Sequence, residues 1–279
     1  MTGRALSTSD WVGMSTTSSA FLDPAQANRM QVTLDRECTF AEGDELPAAW
    51  HWLYFHDLVR ASNLGTDGHP ALGVTMPPVP LPRRMWAGGE LSFGRPLLLG
   101  SEASRTSTIR AITPKEGRTG PLYFVTVEHD IRSGDQPAVL ETQTIVYREV
   151  DTSPPQDAPV APAEAEFTDR WHPNSTSLFR YSALTFNGHR IHYDVDYART
   201  VEGYPNLVIH GPLLATLLLD ALVRRGQRVT KFGYRARSPL FIPDAFTVNG
   251  RREGKGARLW AAALDGRLAM EGEATYATA

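Results

Sequence analysis

Three histidines, an asparagine, an arginine and an aspartate crowd into two short stretches of this chain. The first is Phe186-Asn187-Gly188-His189-Arg190-Ile191-His192-Tyr193-Asp194; the second is His210-Gly211-Pro212. The whole chain has only eight histidines. Histidine is the side chain whose unperturbed pKa lies near neutrality, so such a cluster suits proton transfer. Asn187 and His192 stand in an N-x4-H spacing before a helix. Both could point into a pocket and hold one water, with His192 exchanging the proton. The plain alternative is that Asn187 makes a turn and His192 bonds backbone. His210-Gly211 opens an apolar helix, where unpaired backbone N–H groups meet the positive end of the dipole. Gly211 would let a ligand approach that backbone closely. Equally, Gly211-Pro212 could simply start the helix. Asp194 suits the N-cap of the helix after it better than catalysis.

The elements that must position these residues fall into two similar halves. In the first, Asp23-Pro24 predicts a helix to about Glu37, since Asp caps and Pro fits the first turn. Pro47 predicts a second helix to about Ser62. Residues 63–90 read as a long loop rich in Gly and Pro, carrying Arg83, Arg84 and Trp86. Strands are expected over 90–96, 102–113, 121–133 and 138–150. In the second half, a short helix follows Asp194 and an almost wholly apolar helix runs from Gly211 to Arg225, stopped by Gly226. Strands are expected over 227–240, 245–253, 257–265 and 267–277. Leu91-Ser92-Phe93-Gly94-Arg95-Pro96-Leu97 parallels Tyr234-Arg235-Ala236-Arg237-Ser238-Pro239-Leu240. Each half would leave one sheet edge and one helix face open, so pairing the halves buries both. The Pro- and Ala-rich segment 151–165 separates residues 1–150 from 166–279 as a linker.

The bulk numbers narrow the classes. The chain has 279 residues, 42% hydrophobic and 21% charged, which permits a large core. A net charge of −3 without a basic patch gives no footprint for nucleic acid. The single cysteine, Cys38, allows no intrachain disulfide and suits a reducing compartment. No run nears the roughly 18 apolar residues of a membrane span. The first residues lack the apolar block of a signal peptide, so a cytoplasmic protein is expected. No Cys/His cluster has metal-ligand spacing, and no dinucleotide fingerprint, P-loop or nucleophile elbow appears.

The run from Arg180 to Asp194 followed by His210-Gly211-Pro212 resembles the hydratase signature of MaoC-like double hot dog proteins. More closely, it is similar to type 2 hydroxyacyl-thioester dehydratases and to mesaconyl- and itaconyl-CoA hydratases. Trp50-His51-Trp52-Leu53-Tyr54-Phe55, Asp67-Gly68-His69-Pro70, Pro82 to Gly88, Lys115 to Leu122 and Val146-Tyr147-Arg148 carry the same likeness. It covers nearly the whole chain. The resemblance implies an α+β double hot dog, two curved antiparallel sheets each wrapping a central helix. It implies a substrate-binding, non-catalytic first half and a catalytic second half. The activity implied is reversible hydration of an α,β-unsaturated acyl-CoA or acyl carrier protein thioester, without cofactor or metal. His192 would move the proton, Asn187 would orient the water and the Gly211 N–H would polarise the thioester carbonyl. Arg83, Arg84, Trp86, His210 and Arg190 are the candidate substrate-binding residues; either of Arg83 and Arg84 could meet a free carboxylate, which favours a branched dicarboxylic acyl group, or could equally make a structural salt bridge. The sequence departs from the wider family at one position: Asn187 stands where an aspartate is usual. A carboxamide cannot act as a base, so His192 would carry the acid–base work. A thioesterase and a non-catalytic acyl-thioester binding subunit are the rival readings. A homodimer is the expected assembly.

Overall fold

The computed structural model describes residues 7–117, 120–149 and 159–277. Among these residues ten strands form one antiparallel sheet, and its order shows how the chain is built. They are β1 (Ser15–Phe21), β2 (Arg83–Phe93), β3 (Glu102–Gly117), β4 (Gly120–Ser133), β5 (Gln136–Arg148), β6 (Phe167–Trp171), β7 (Val229–Ala236), β8 (Phe246–Glu253), β9 (Gly256–Ala263) and β10 (Leu268–Tyr276). The order is β1-β3-β4-β5-β2-β7-β10-β9-β8-β6. Read outward from the β2–β7 joint, the two halves have the same order. The letter repeat that aligns Leu91 with Tyr234 maps the joint pair Leu91–Phe232 onto Gly89–Tyr234. The ladder is therefore symmetric about Glu90 and Gly233. Joining edge to edge satisfies the open backbone of both halves.

Among the described residues four α-helices accompany the sheet: α1 (Pro24–Thr33), α2 (Ser175–Leu184), α3 (Val195–Thr200) and α4 (Gly211–Val223). Asp23 caps α1 by accepting from the Ala25 N–H. Asn174 caps α2 by accepting from Ser177 N–H. α4 is buried on nearly every side, from Leu213 to Leu222. Its leucines join Phe232, Val248, Leu259 and Met270 of the second-half strands in one core. That core continues into the first half through Met30, Trp50 and Leu91. Across the halves, Arg36 holds Asp220 of α4 through two hydrogen bonds of 2.7 and 2.6 Å.

Three sequence expectations need correction. The helix over 47–62 is instead two short 3₁₀ turns, Trp50–Leu53 and Ala61–Asn63. Ala49 takes a left-handed conformation (φ 67°) where the first turn would start, which an α-helix cannot continue through. α1 stops at Thr33, with Asp35 at φ 59° just beyond. The loop expected over 63–90 ends at Pro82: Arg83, Arg84 and Trp86 lie on β2, paired with β5. Strands β1 and β6 and helix α2 were not foreseen. Among the described residues the first half thus has no counterpart of α4, and a cavity runs along its inner sheet face. Most of the expected linker, 151–158, lies outside the described residues; Pro159 and Val160 run along the 267–268 segment.

Candidate active site

The Asn187–Asp194 loop is built from both ends by local bonds. The Asn187 N–H donates to Ser182 O, closing the end of α2, and the Asn187 Oδ1 accepts from His189 N–H at 3.0 Å. Phe186 adopts φ 53° to make that reversal and stacks its ring on His56. At the other end Asp194 caps α3, accepting from Tyr197 N–H at 3.0 Å. Arg190 pairs with Asp194 and lies over the Tyr197 ring. Arg190 thus fastens the loop from outside and does not line the cavity.

A loop of the first half clamps this one. Asp67 O accepts from Arg190 N–H at 2.9 Å, and Thr66 O accepts from the Arg190 guanidinium. Gly68 and Gly188 meet backbone to backbone: a Cβ on Gly68 would lie 2.0 Å from Gly188 O. The His69 and His189 rings stand 4.5 Å apart. Asp67 Oδ2 also bonds Arg84 at 3.2 Å. Atoms of Asp67, His69 and His189 able to ligate a metal lie within 4.8 Å of one another. Sequence spacing could not show this grouping, because it joins the two halves. Both carboxylate oxygens of Asp67 already accept hydrogen bonds, from Arg84 and from His69 N–H.

Three of the four histidines of the second half, His189, His192 and His210, come together. His192 and His210 stack at 3.7 Å between centroids, and His189 meets His192 edge-on at 5.5 Å. The His192 Nδ1 lies 2.8 Å from Val208 O. A carbonyl can only accept, so Nδ1 carries the hydrogen and Nε2 keeps its lone pair. Burial pushes the His192 pKa down to about 4, partly opposed by the Val208 carbonyl. His189 is pushed down to about 3, by burial first and then by the charges of His192 and Arg84. Burial drives His210 well below its ordinary value as well. At neutral pH all three rings are uncharged, and His192 is a ready base. His210 is fully buried behind His192, with Nε2 on Ser182 Oγ at 2.8 Å, and it does not line the cavity.

The cavity measures about 700 Å³ and is lined by His192, Asn187, His189, Gly211, Trp86, Arg83 and Arg84, among others. Gly211 starts α4, so its N–H lacks an intrahelical partner. A Cβ there would meet the Trp86 ring at 3.0 Å, so glycine keeps this corner open. Trp86 is held by stacking on Tyr234 at 4.4 Å. The two arginines are already engaged. Arg83 pairs with Glu202 and donates to Val201 O and Glu202 O; Arg84 holds Asp67 and Pro70 O. Sequence reasoning missed Asp67 and His69 as partners of the loop, and it missed a polar row on β3–β5. Period-two alternation of polar among apolar residues, as in Val127-x-His129-x-Ile131, was the available signal.

Comparison with known proteins decides the family. The hydroxyacyl-thioester dehydratase type 2 profile matches residues 49–242. The chain belongs to that family. It is 41% identical over 264 residues to mesaconyl-C(4)-CoA hydratase of Chloroflexus aurantiacus, spanning 93% of this chain and 94% of the relative. It is 30% identical to the mitochondrial type 2 dehydratase of Schizosaccharomyces pombe, spanning 78% and 80% of the two chains. In fold it is similar to a MaoC-like dehydratase of Phytophthora capsici, with a TM-score of 0.70, 16% identity and 97% and 99% of the chains covered. A Mycobacterium tuberculosis protein with a double hotdog fold matches at a TM-score of 0.61, 12% identity and 98% of each chain. The expected α+β double hot dog is therefore the fold. As a type 2 dehydratase relative, this chain is an enzyme of the hydratase/dehydratase kind acting on acyl thioesters. Among the described residues no helix is long and apolar enough to cross a membrane.

Proposed function

We propose that this type 2 dehydratase adds water reversibly across the α,β-double bond of a short dicarboxylic acyl-CoA, of which mesaconyl-C(4)-CoA is the first to test. The observation that carries the reading is the His192 tautomer: Nδ1–H on Val208 O leaves a neutral, basic Nε2 on a residue that lines the cavity. His192 Nε2 takes a proton from water while the oxygen bonds the β-carbon. The C=C electron pair moves through the α-carbon to the thioester oxygen. The unpaired N–H groups at the start of α4, with Gly211 first, hold that enolate charge. The α-carbon then takes the proton back from His192, so the ring ends as it began.

Asn187 plays a different part from the one its type suggests. Its Oδ1 accepts from His189 N–H and shapes the loop, so the amide nitrogen is left to orient water or substrate. His210 backs His192, and Arg190 fastens the loop. Arg83 and Arg84 shape the wall of the cavity through their protein partners. The second half supplies the proton-transfer group and the first half supplies wall and clamp. A homodimer and a cytoplasmic location belong to the same proposal; sedimentation velocity and fractionation test them.

Loss of enoyl-thioester absorbance with a panel of enoyl-CoAs tests the reaction. Wild type should turn over and His192→Ala should be slowed at least about 10³-fold. Release of free thiol instead would make the protein a thioesterase. Tight binding of the panel without turnover would make it a binding subunit.

A further inference from the structure

The inner face of the first half is where a fatty acyl chain would need an apolar wall, yet beside Ile109, Val127 and Ile145 it carries a row of polar side chains. Ser107 of β3 pairs in register with His129 of β4, and His129 with Glu141 of β5. Arg105 and Gln143 lie two residues along on the same face. Arg105, Ser107, His129 and Gln143 all line the cavity that also holds His192. Adjacent strands are about 4.8 Å apart, so Ser107, His129 and Glu141 span about 10 Å across the sheet, with Arg105 and Gln143 offset to opposite sides of that line.

The row is set up from behind. Glu141 is 1% exposed and is saturated by His51 Nε2 at 2.9 Å, Trp52 Nε1 at 3.0 Å and Gln143 Nε2 at 2.6 Å. That bond fixes the Gln143 amide and leaves its Oε1 free of Glu141. His129 spends Nδ1 on Ser107 Oγ at 2.8 Å. Its other nitrogen is left for the cavity. Arg105 gives Nη1 to Phe55 O and Nη2 to Asp57, while its buried Nε has no partner. The Nε–Nη2 edge is the fork that takes a carboxylate in two parallel bonds. It holds Asp57 by one arm only, and Asp57 is 52% exposed. Ion pairs to such exposed carboxylates are worth little, so a ligand carboxylate could displace Asp57 at small cost.

We propose that Arg105, Ser107, His129 and Gln143 form a subsite for the far end of the acyl group and select chains ending in a carboxylate. This rests on the cavity being the acyl-thioester site. It moves recognition of the free carboxylate from the partnered Arg83 and Arg84 to the first-half sheet.

The test reads binding apart from turnover. Saturated acyl-CoAs that cannot react are titrated by calorimetry in matched pairs: succinyl- against butyryl-CoA, and adipyl- against hexanoyl-CoA. Wild type should prefer the carboxylate member of at least one pair by about 30-fold. Arg105→Gln and His129→Leu should each cut that preference at least tenfold while binding of the methyl-ended member stays within threefold. Thermal unfolding and butyryl-CoA affinity report folding; if Arg105→Gln fails to fold, His129→Leu decides alone. No wild-type preference in either pair, or equal losses for both members of a pair, overturns the proposal. A preference in a protein without hydratase turnover would keep the subsite and sink the hydratase reading; turnover without preference would do the reverse.

Discussion

Replacing Gly68 by alanine tests whether the first half builds the catalytic loop or merely touches it. Gly68 sits at φ +86°, and an added Cβ would lie 2.0 Å from Gly188 O. Real carbon–oxygen contacts of this kind do not fall below 3.0 Å, so the two loops must part by at least about 1 Å. Gly188 lies four residues before His192, and the adjoining Arg190 N–H donates to Asp67 O. A 1 Å misplacement of a reacting group costs on the order of 10²-fold. The left-handed conformation adds about 1–2 kcal/mol of strain for alanine. Gly43→Ala separates the two effects, because Gly43 has φ +90° and nothing within 4 Å of an added Cβ. Both variants should lose similar backbone stability in thermal unfolding. Gly68→Ala alone should lose about 10²-fold in kcat, followed by enoyl-thioester absorbance. If folded Gly68→Ala keeps kcat within fivefold of Gly43→Ala, the clamp does not position the catalytic loop.

Four further predictions follow from the same geometry. Because His192 must be neutral to act and its pKa is held at about 4, kcat/KM should stay level from pH 7 to about 5 and fall only near pH 4. Stability should decline earlier: the unfolded ring binds a proton below 6.5 and the folded one does not until about 4, so His192 alone costs about 3 kcal/mol by pH 4. Denaturant unfolding between pH 7 and 4.5 should show this loss; a flat profile would contradict buried neutral rings. Asn187→Asp should preserve the turn onto His189 N–H and, by placing a negative charge in the loop, raise the acid limb of the pH–rate profile by about one unit. An unmoved limb would place residue 187 outside electrostatic reach of His192. Arg36→Ala should lower stability by about 3 kcal/mol, because Asp220 is 6% exposed and keeps only Arg224. A change below about 0.5 kcal/mol in chemical unfolding would show that this bond between halves carries no weight.

The sequence by itself determined the repeat, most of the strands and the helix α4, because each rests on local periodicity. It singled out Asn187, His192 and Gly211 because they are near neighbours of unusual chemistry. It placed Asp194 as a cap because capping is set by the residue and the next three positions. Only the tertiary structure decided what these groups do to one another. The His192 tautomer depends on Val208 O, sixteen residues away, and its low pKa depends on burial that only the folded chain provides. The same separation hid the partners of Arg83 and Arg84, for which a linear reading left substrate binding and a salt bridge equally open. It also hid the clamp of Asp67, Gly68 and His69, and the polar row on β3–β5. Spacing along a chain fixes which side chains share a face of one element. Which faces meet, and which hydrogen bonds are thereby used up, is settled only when two distant halves fold against each other.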